Sequence, residues 1–246
     1  MAGLSLKAVQ GLHLRARLLR RSVFRLWRDR SLQKYGSSIG TVRYEDGTQA
    51  RSPVPMILLV SCSRPEDLPV LAYLFRERIL TCIVPRALSH LPLVSLIARA
   101  GRILYFENYE KPGYPFFREL LRTLQDFNRS VLVSPDAAKV YSPNHFTVVP
   151  PLLVRLAMKA SVPIVPVVTA SLASERQGRQ PSGHCDIFVG KRIFVSPRSP
   201  EFRDIFFKRR GARKFERLPP EDLAEIGRRI FTRLDALKET HGSDLS

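Results

Sequence analysis

Cysteine is scarce in this chain and never closely spaced. Cys62, Cys82 and Cys185 are spread through 246 residues without a Cys-x-x-Cys pair, which speaks against a disulfide framework or a zinc site and fits a reducing compartment. Acids are also few: 22 Asp and Glu stand against 40 Lys and Arg, a formal charge of +18. That excess calls for an anionic partner, either nucleic acid or an anionic membrane. Long apolar runs are missing too. None approaches the roughly twenty residues that span a bilayer, and the first residues lack the apolar block of a secretory signal. A cytoplasmic protein with peripheral membrane contact is expected. No internal repeat is visible.

The remaining composition, 44% hydrophobic and 25% charged, is that of a globular protein with room for one α/β domain plus terminal additions. Residues 1–35 form the first addition. The first 34 hold nine basic residues and one acid. Val9, Leu12, Ala16, Leu19, Val23 and Leu26 recur at helical spacing, while Arg15, Arg17, Arg21, Arg25 and Arg28 fill the other face. A basic amphipathic helix with Phe24 and Trp27 near its end suits a membrane interface. The same pattern also fits a helix packed on the domain, or an Arg-rich mitochondrial-type presequence. Residues 36–54 read as a linker holding a marginal strand pair around a hairpin turn.

Met56-Ile57-Leu58-Leu59-Val60 is a continuous apolar run, as expected of a strand buried on both faces. Ser61-Cys62-Ser63-Arg64-Pro65-Glu66-Asp67 interrupts it, and helical spacing resumes from Leu68 to Arg78. This strand, polar turn and helix form the pivot of the chain, because ligands in open α/β sheets meet the carboxyl ends of strands. The turn also carries an ordinary helix start, with Ser63 and Glu66 in capping-box spacing. Further strands are expected at 80–84, 103–106, 130–133, 162–168, 186–189 and 193–195. Helices are expected at 88–100, 115–128 and 152–160. The alternation predicts a mainly parallel sheet flanked by helices. A second polar turn, Ser134-Pro135-Asp136-Ala137-Ala138-Lys139, follows the strand at 130–133. Residues 198–246 add a basic segment and a last amphipathic helix with Leu223, Ile226, Ile230, Leu234 and Leu237 on one face.

Over residues 55–197, four stretches in order resemble the glycerophospholipid (lysophosphatidic acid) acyltransferase superfamily. Leu156-Ala157 followed by Val162-Pro163-Ile164-Val165-Pro166-Val167 looks like its fourth block, and Val189-Gly190-Lys191-Arg192-Ile193 like the stretch that trails it. The first block, Asn-His-x-x-x-x-Asp, falls on Ser61, Cys62 and Asp67, so the orienting carboxylate is kept and the general-base histidine is replaced by cysteine. The second block falls on Gly101 to Glu107, where the phosphate-binding arginine has become Glu107. The third, Pro-Glu-Gly-Thr-Arg, becomes Pro135-Asp136-Ala137-Ala138-Lys139, keeping a carboxylate and a cation and losing a glycine.

The resemblance implies an acyltransferase-like α/β fold and transfer of a fatty acyl group from a thioester of coenzyme A or acyl carrier protein to a lysophospholipid hydroxyl. It implies Cys62 and Asp67 as catalytic residues, Arg64, Asp136 and Lys139 as substrate-binding residues, and no metal or other cofactor. Cys62 would act as a base or take the acyl group itself, and a buried structural thiol is the plain alternative. His90, His145 or His184 could instead supply an imidazole. Two further readings stay open: a lipid-binding or scaffold protein that has lost turnover, and a nucleic-acid binder. The last is disfavoured, since neither a stacking-aromatic motif nor a helix-turn-helix signature is visible.

Overall fold

The apolar run at 56–60 becomes the centre of the sheet. A computed structural model describes residues 33, 35–46, 54–62, 67–75, 80–85, 102–106, 114–135, 149–171, 185–207 and 218–242. The expected N-terminal helix, the helix at 88–100 and the turns carrying Arg64, Glu107, Asp136 and Lys139 lie outside these residues. The strands are β1 (Ile39–Tyr44), β2 (Ile57–Ser61), β3 (Leu80–Pro85), β4 (Arg102–Phe106), β5 (Ser130–Val133), β6 (Ile164–Ser171) and β7 (Cys185–Val189). The helices are α1 (Asp67–Leu74), α2 (Tyr114–Gln125), α3 (Val149–Ala160), α4 (Arg203–Phe207) and α5 (Pro220–Gly242). All strands join one seven-stranded sheet in the order β1-β7-β6-β2-β5-β3-β4.

Every neighbouring pair is parallel except β6 and β7. The fold is thus a single α/β domain with a mainly parallel sheet between helices. Every residue of β2 is buried, and its side chains alternate between two cores as a period of two requires. Ile57 and Leu59 join the core formed with α2, α3, α4 and α5. Met56, Leu58 and Val60 join the one beneath α1, to which Tyr35, Ile39 and Tyr44 add. No break in packing marks the end of the region near residue 197: Phe202, Ile205, Phe206, Leu223, Ile226, Ile230, Leu234 and Leu237 belong to the same core as the strands. All five apolar positions expected on the last helix are buried.

Element ends have local causes. The turn after α2 contains Asn128 at φ 49°, and α3 is followed by Ser161 at φ 54°. Both lie in the left-handed region, which asparagine tolerates better than most residues. Pro166 stands inside β6 without cost to the ladder. Ile164 donates toward Ile193, so an N–H two residues later would aim the same way, and the β6–β7 ladder begins only at Val167. The carbonyl of Pro166 accepts from Gly190 instead, at 2.8 Å.

Two expected elements differ in their pairing. In the 36–54 stretch, where a strand pair around a hairpin turn is expected, β1 pairs in parallel with β7, through Val42–Ile187 and Tyr44–Val189, and residues 47–53 lie outside the described residues. β7 offers β1 the edge left open after pairing with β6. The late strand at 193–195 shrinks to one antiparallel bridge between Ile193 and Ile164. Its alternation survives, with Ile193 and Val195 buried and Phe194 exposed.

Candidate functional site

β2 ends at Ser61, Cys62 follows, and the chain re-enters regular structure at Asp67, the first residue of α1. An aspartate in a first helical turn is favoured by the helix dipole, but this one does more than cap. Asp67 is only 3% exposed. Its Oδ2 accepts a hydrogen bond of 2.7 Å from Thr169 Oγ1, a residue that is itself buried. The bond crosses from α1 to β6, whose Val168 is the register partner of Ser61. A charge-assisted bond in such surroundings fixes the carboxylate at the carboxyl end of the central strand.

Cys62 is half-buried, while Cys82 and Cys185 are buried. Burial pushes the Cys82 thiol up to about 12, so that sulfur stays protonated at neutral pH and is inert as a nucleophile. Cys62 is the thiol with solvent access, and it lies in the loop that leads to Asp67.

The second polar turn reaches the same rim. β5 lies beside β2 and parallel to it, with Leu59 opposite Val133, so Ser134 and Pro135 emerge next to Ser61 and Cys62. Pro135 is buried. The Ser134 hydroxyl oxygen is buried without a hydrogen-bond partner among the described residues. The backbone thus starts the two turns side by side, although Arg64, Asp136 and Lys139 themselves lie outside the described residues. His90, His145 and His184 do as well. Among the described residues the sole histidine is His241, in the last turn of α5.

The residues leading into β1 meet this side of the sheet. Cys185 donates to the carbonyl of Ser38 at 2.8 Å, which ties the start of β1 to the strand end opposite Ser171 on β6. One turn earlier, Gly36 lies against α1: a Cβ there would sit 2.7 Å from Tyr73 Cζ. A side chain at this position would have to push the Tyr73 ring aside.

Thr169 escapes a reading of the sequence. It stands 102 positions from Asp67, and its one local signal is a hydroxyl directly after the apolar run that ends at Val168. Reading that signal requires knowing that β6 neighbours β2.

Among the described residues no helix is long and apolar enough to cross a membrane. No protein-family model matches the chain, and no curated protein matches it. Among solved structures, the chain is similar to the 1-acyl-sn-glycerophosphate (LPA) acyltransferase PlsC from Thermotoga maritima, at 14% sequence identity and a TM-score of 0.49, over 89% of this chain and 78% of that one.

Proposed function

We propose that the protein transfers a fatty acyl group from a thioester of coenzyme A or acyl carrier protein to a lysophospholipid hydroxyl, working in the cytoplasm at an anionic membrane surface. The observation that carries this reading is Asp67, buried at the carboxyl end of β2 and held by Thr169, one loop away from the half-buried Cys62. The block resemblance, in which an aspartate at that place orients the reacting centre, supports it. The charge of +18 and the basic amphipathic pattern of residues 1–35 favour the membrane as the place of work.

In this scheme the Cys62 sulfur attacks the donor carbonyl. A carbon–sulfur bond to Cys62 forms, the bond to the donor sulfur breaks, and the donor leaves as its thiol with the proton Cys62 gave up. Exchange of one thioester for another is close to thermoneutral. The lysophospholipid hydroxyl then attacks, its proton passes to the departing Cys62 sulfur, and the ester is released. Asp67 orients the turn that carries the thiol, while Arg64, Asp136 and Lys139 hold the acceptor phosphate region.

Purified protein given radiolabelled acyl-CoA or acyl carrier protein and a panel of lysophospholipids should yield a diacyl product that depends on Asp67. An acyl adduct on Cys62 should appear by mass spectrometry when the acceptor is omitted. A Cys62→Ser variant as active as the parent would remove the thiol from the scheme, and no product with any pairing would remove the reaction.

A second reading is favoured by one observation: a cysteine stands where the family's first block has its base. In this reading the protein binds acyl chains or lysolipids without turnover, as a scaffold or partner of an active enzyme. Activity that appears only in Cys62→His would establish it.

A further inference from the structure

A cleft of about 440 Å³ opens far from Cys62 and Asp67. It lies between the second half of α5, the turn after β7 and the segment leading into α4, and Pro166 is part of its floor. Pro166 shares a face of β6 with Ile164 and Val168, which point to the α3–α5 side. Thr169 has the opposite parity and binds Asp67 under α1. It also lies three residues farther along β6, about 10 Å by the rise of a strand. The cleft and the Asp67 site are therefore on opposite faces of the sheet and toward opposite ends of its strands.

The turn that forms one wall is bolted in place. Gly190 donates to Pro166 and Ile193 exchanges two hydrogen bonds with Ile164, all within 2.9 Å. The Lys191 backbone N–H donates to Glu45 Oε2 at 2.7 Å. A Cβ on Gly190 would come within 2.7 Å of Pro166 Cγ, and Ser199 Oγ donates to the carbonyl of Phe194. Despite this anchoring, the turn presents Lys191 and Phe194 outward, Phe194 being 48% exposed. A rigid turn that displays a cation and an aromatic ring over a cavity has the form of a preformed binding site.

The lining defines the ligand. Lys191 and Arg233 supply positive charge, Glu45 and Glu201 supply acceptors, and Leu237 and Phe194 supply apolar surface. Arg233 pairs with Glu201 at 3.0 Å, but the two side chains are 57% and 40% exposed. An exposed pair of that kind adds little stability and yields readily to a stronger anion. A phosphate dianion would draw Arg233 and Lys191, and Glu201 released from Arg233 would accept from a hydroxyl on the same ligand. An apolar floor adds a carbon body. We propose that this cleft binds a phosphate monoester carried on a hydroxylated carbon skeleton, at a site separate from the one that holds Asp67.

The test uses the full chain and titration calorimetry with adenosine monophosphate, glycerol 3-phosphate, inorganic phosphate, and vesicles with and without phosphatidylinositol 4-phosphate. The monoesters should bind better than inorganic phosphate. Lys191→Ala and Arg233→Ala should each weaken binding about tenfold or more, and Cys62→Ser should leave it unchanged. Binding of the soluble esters assigns a small metabolite. Binding confined to the phosphoinositide vesicles, and lost in the same two variants, assigns a lipid headgroup. Equal affinity for inorganic phosphate, affinity insensitive to both substitutions, or no binding of any probe overturns the site. Both side chains are solvent-facing, so circular dichroism of the variants should match the parent and keeps a negative result interpretable.

Discussion

Replacing Thr169 by valine removes one hydroxyl from the centre of the candidate site while keeping its shape. The hydrogen bond lost is short, at 2.7 Å, and both partners are at most 3% exposed. Water therefore has little access to take the place of the donor, and a bond to a charged group contributes about 1.5–3 kcal/mol. Thr169→Val should lower stability by about that amount, a shift of roughly 3–12 °C in Tm for a chain of this size. Urea unfolding followed by circular dichroism measures it. Asp67→Leu and the double variant complete a cycle, since replacing both partners by apolar groups of similar shape leaves neither one unsatisfied. The double variant should be more stable than the sum of the singles implies, by about 0.5–3 kcal/mol. A Thr169→Val chain within about 0.5 kcal/mol of the parent, or an additive cycle, would refute the view that this bond fixes Asp67.

Thiol chemistry and acid stability give two more tests. In the native protein one thiol, Cys62, should react promptly with a water-soluble alkylating reagent, and Cys82 and Cys185 should be modified only after unfolding. Mass mapping of the labelled peptides checks this, and early labelling of Cys82 would contradict its burial. Arg229 grips Asp204 through two bonds, of 2.8 and 2.6 Å. It lowers the Asp204 carboxyl to about 2, chiefly through that side-chain hydrogen bond. A depressed carboxyl stabilises the fold above its unfolded value of about 3.9 and loses that contribution as pH falls through about 2. Asp204→Asn should therefore flatten the dependence of stability on pH between about 4 and 2. An unchanged slope in that window would mean that the pair does not couple to folding.

Much of the architecture was legible because burial on both faces leaves a plain mark. The runs at 56–60, 131–133 and 162–168 had to be apolar throughout to lie between two helical layers, and α5 had to carry its apolar residues at spacings of three and four. What failed to show were the pairings. Nothing near Ile39 announces that β1 will lie along β7, because an edge strand needs only a partner with an open side. The basic look of 198–217 concealed Phe202, Ile205 and Phe206, which anchor that segment in the core. It also concealed Glu201 and Asp204, which meet Arg233 and Arg229 from α5.

The candidate site divides along the same line. Local chemistry placed Cys62 and Asp67 in one turn after one strand, and the second turn after another. That β2 and β5 are neighbours, so that the two turns start at one rim, was decided by strand order. Thr169 as the partner of Asp67 was decided the same way, by β6 lying on the other side of β2. Side-chain alternation and helical spacing are properties of a few consecutive residues, and the chain carries them wherever it goes. Which strands lie together depends on how separate apolar surfaces are best covered at once, a balance over the whole molecule that no single stretch contains.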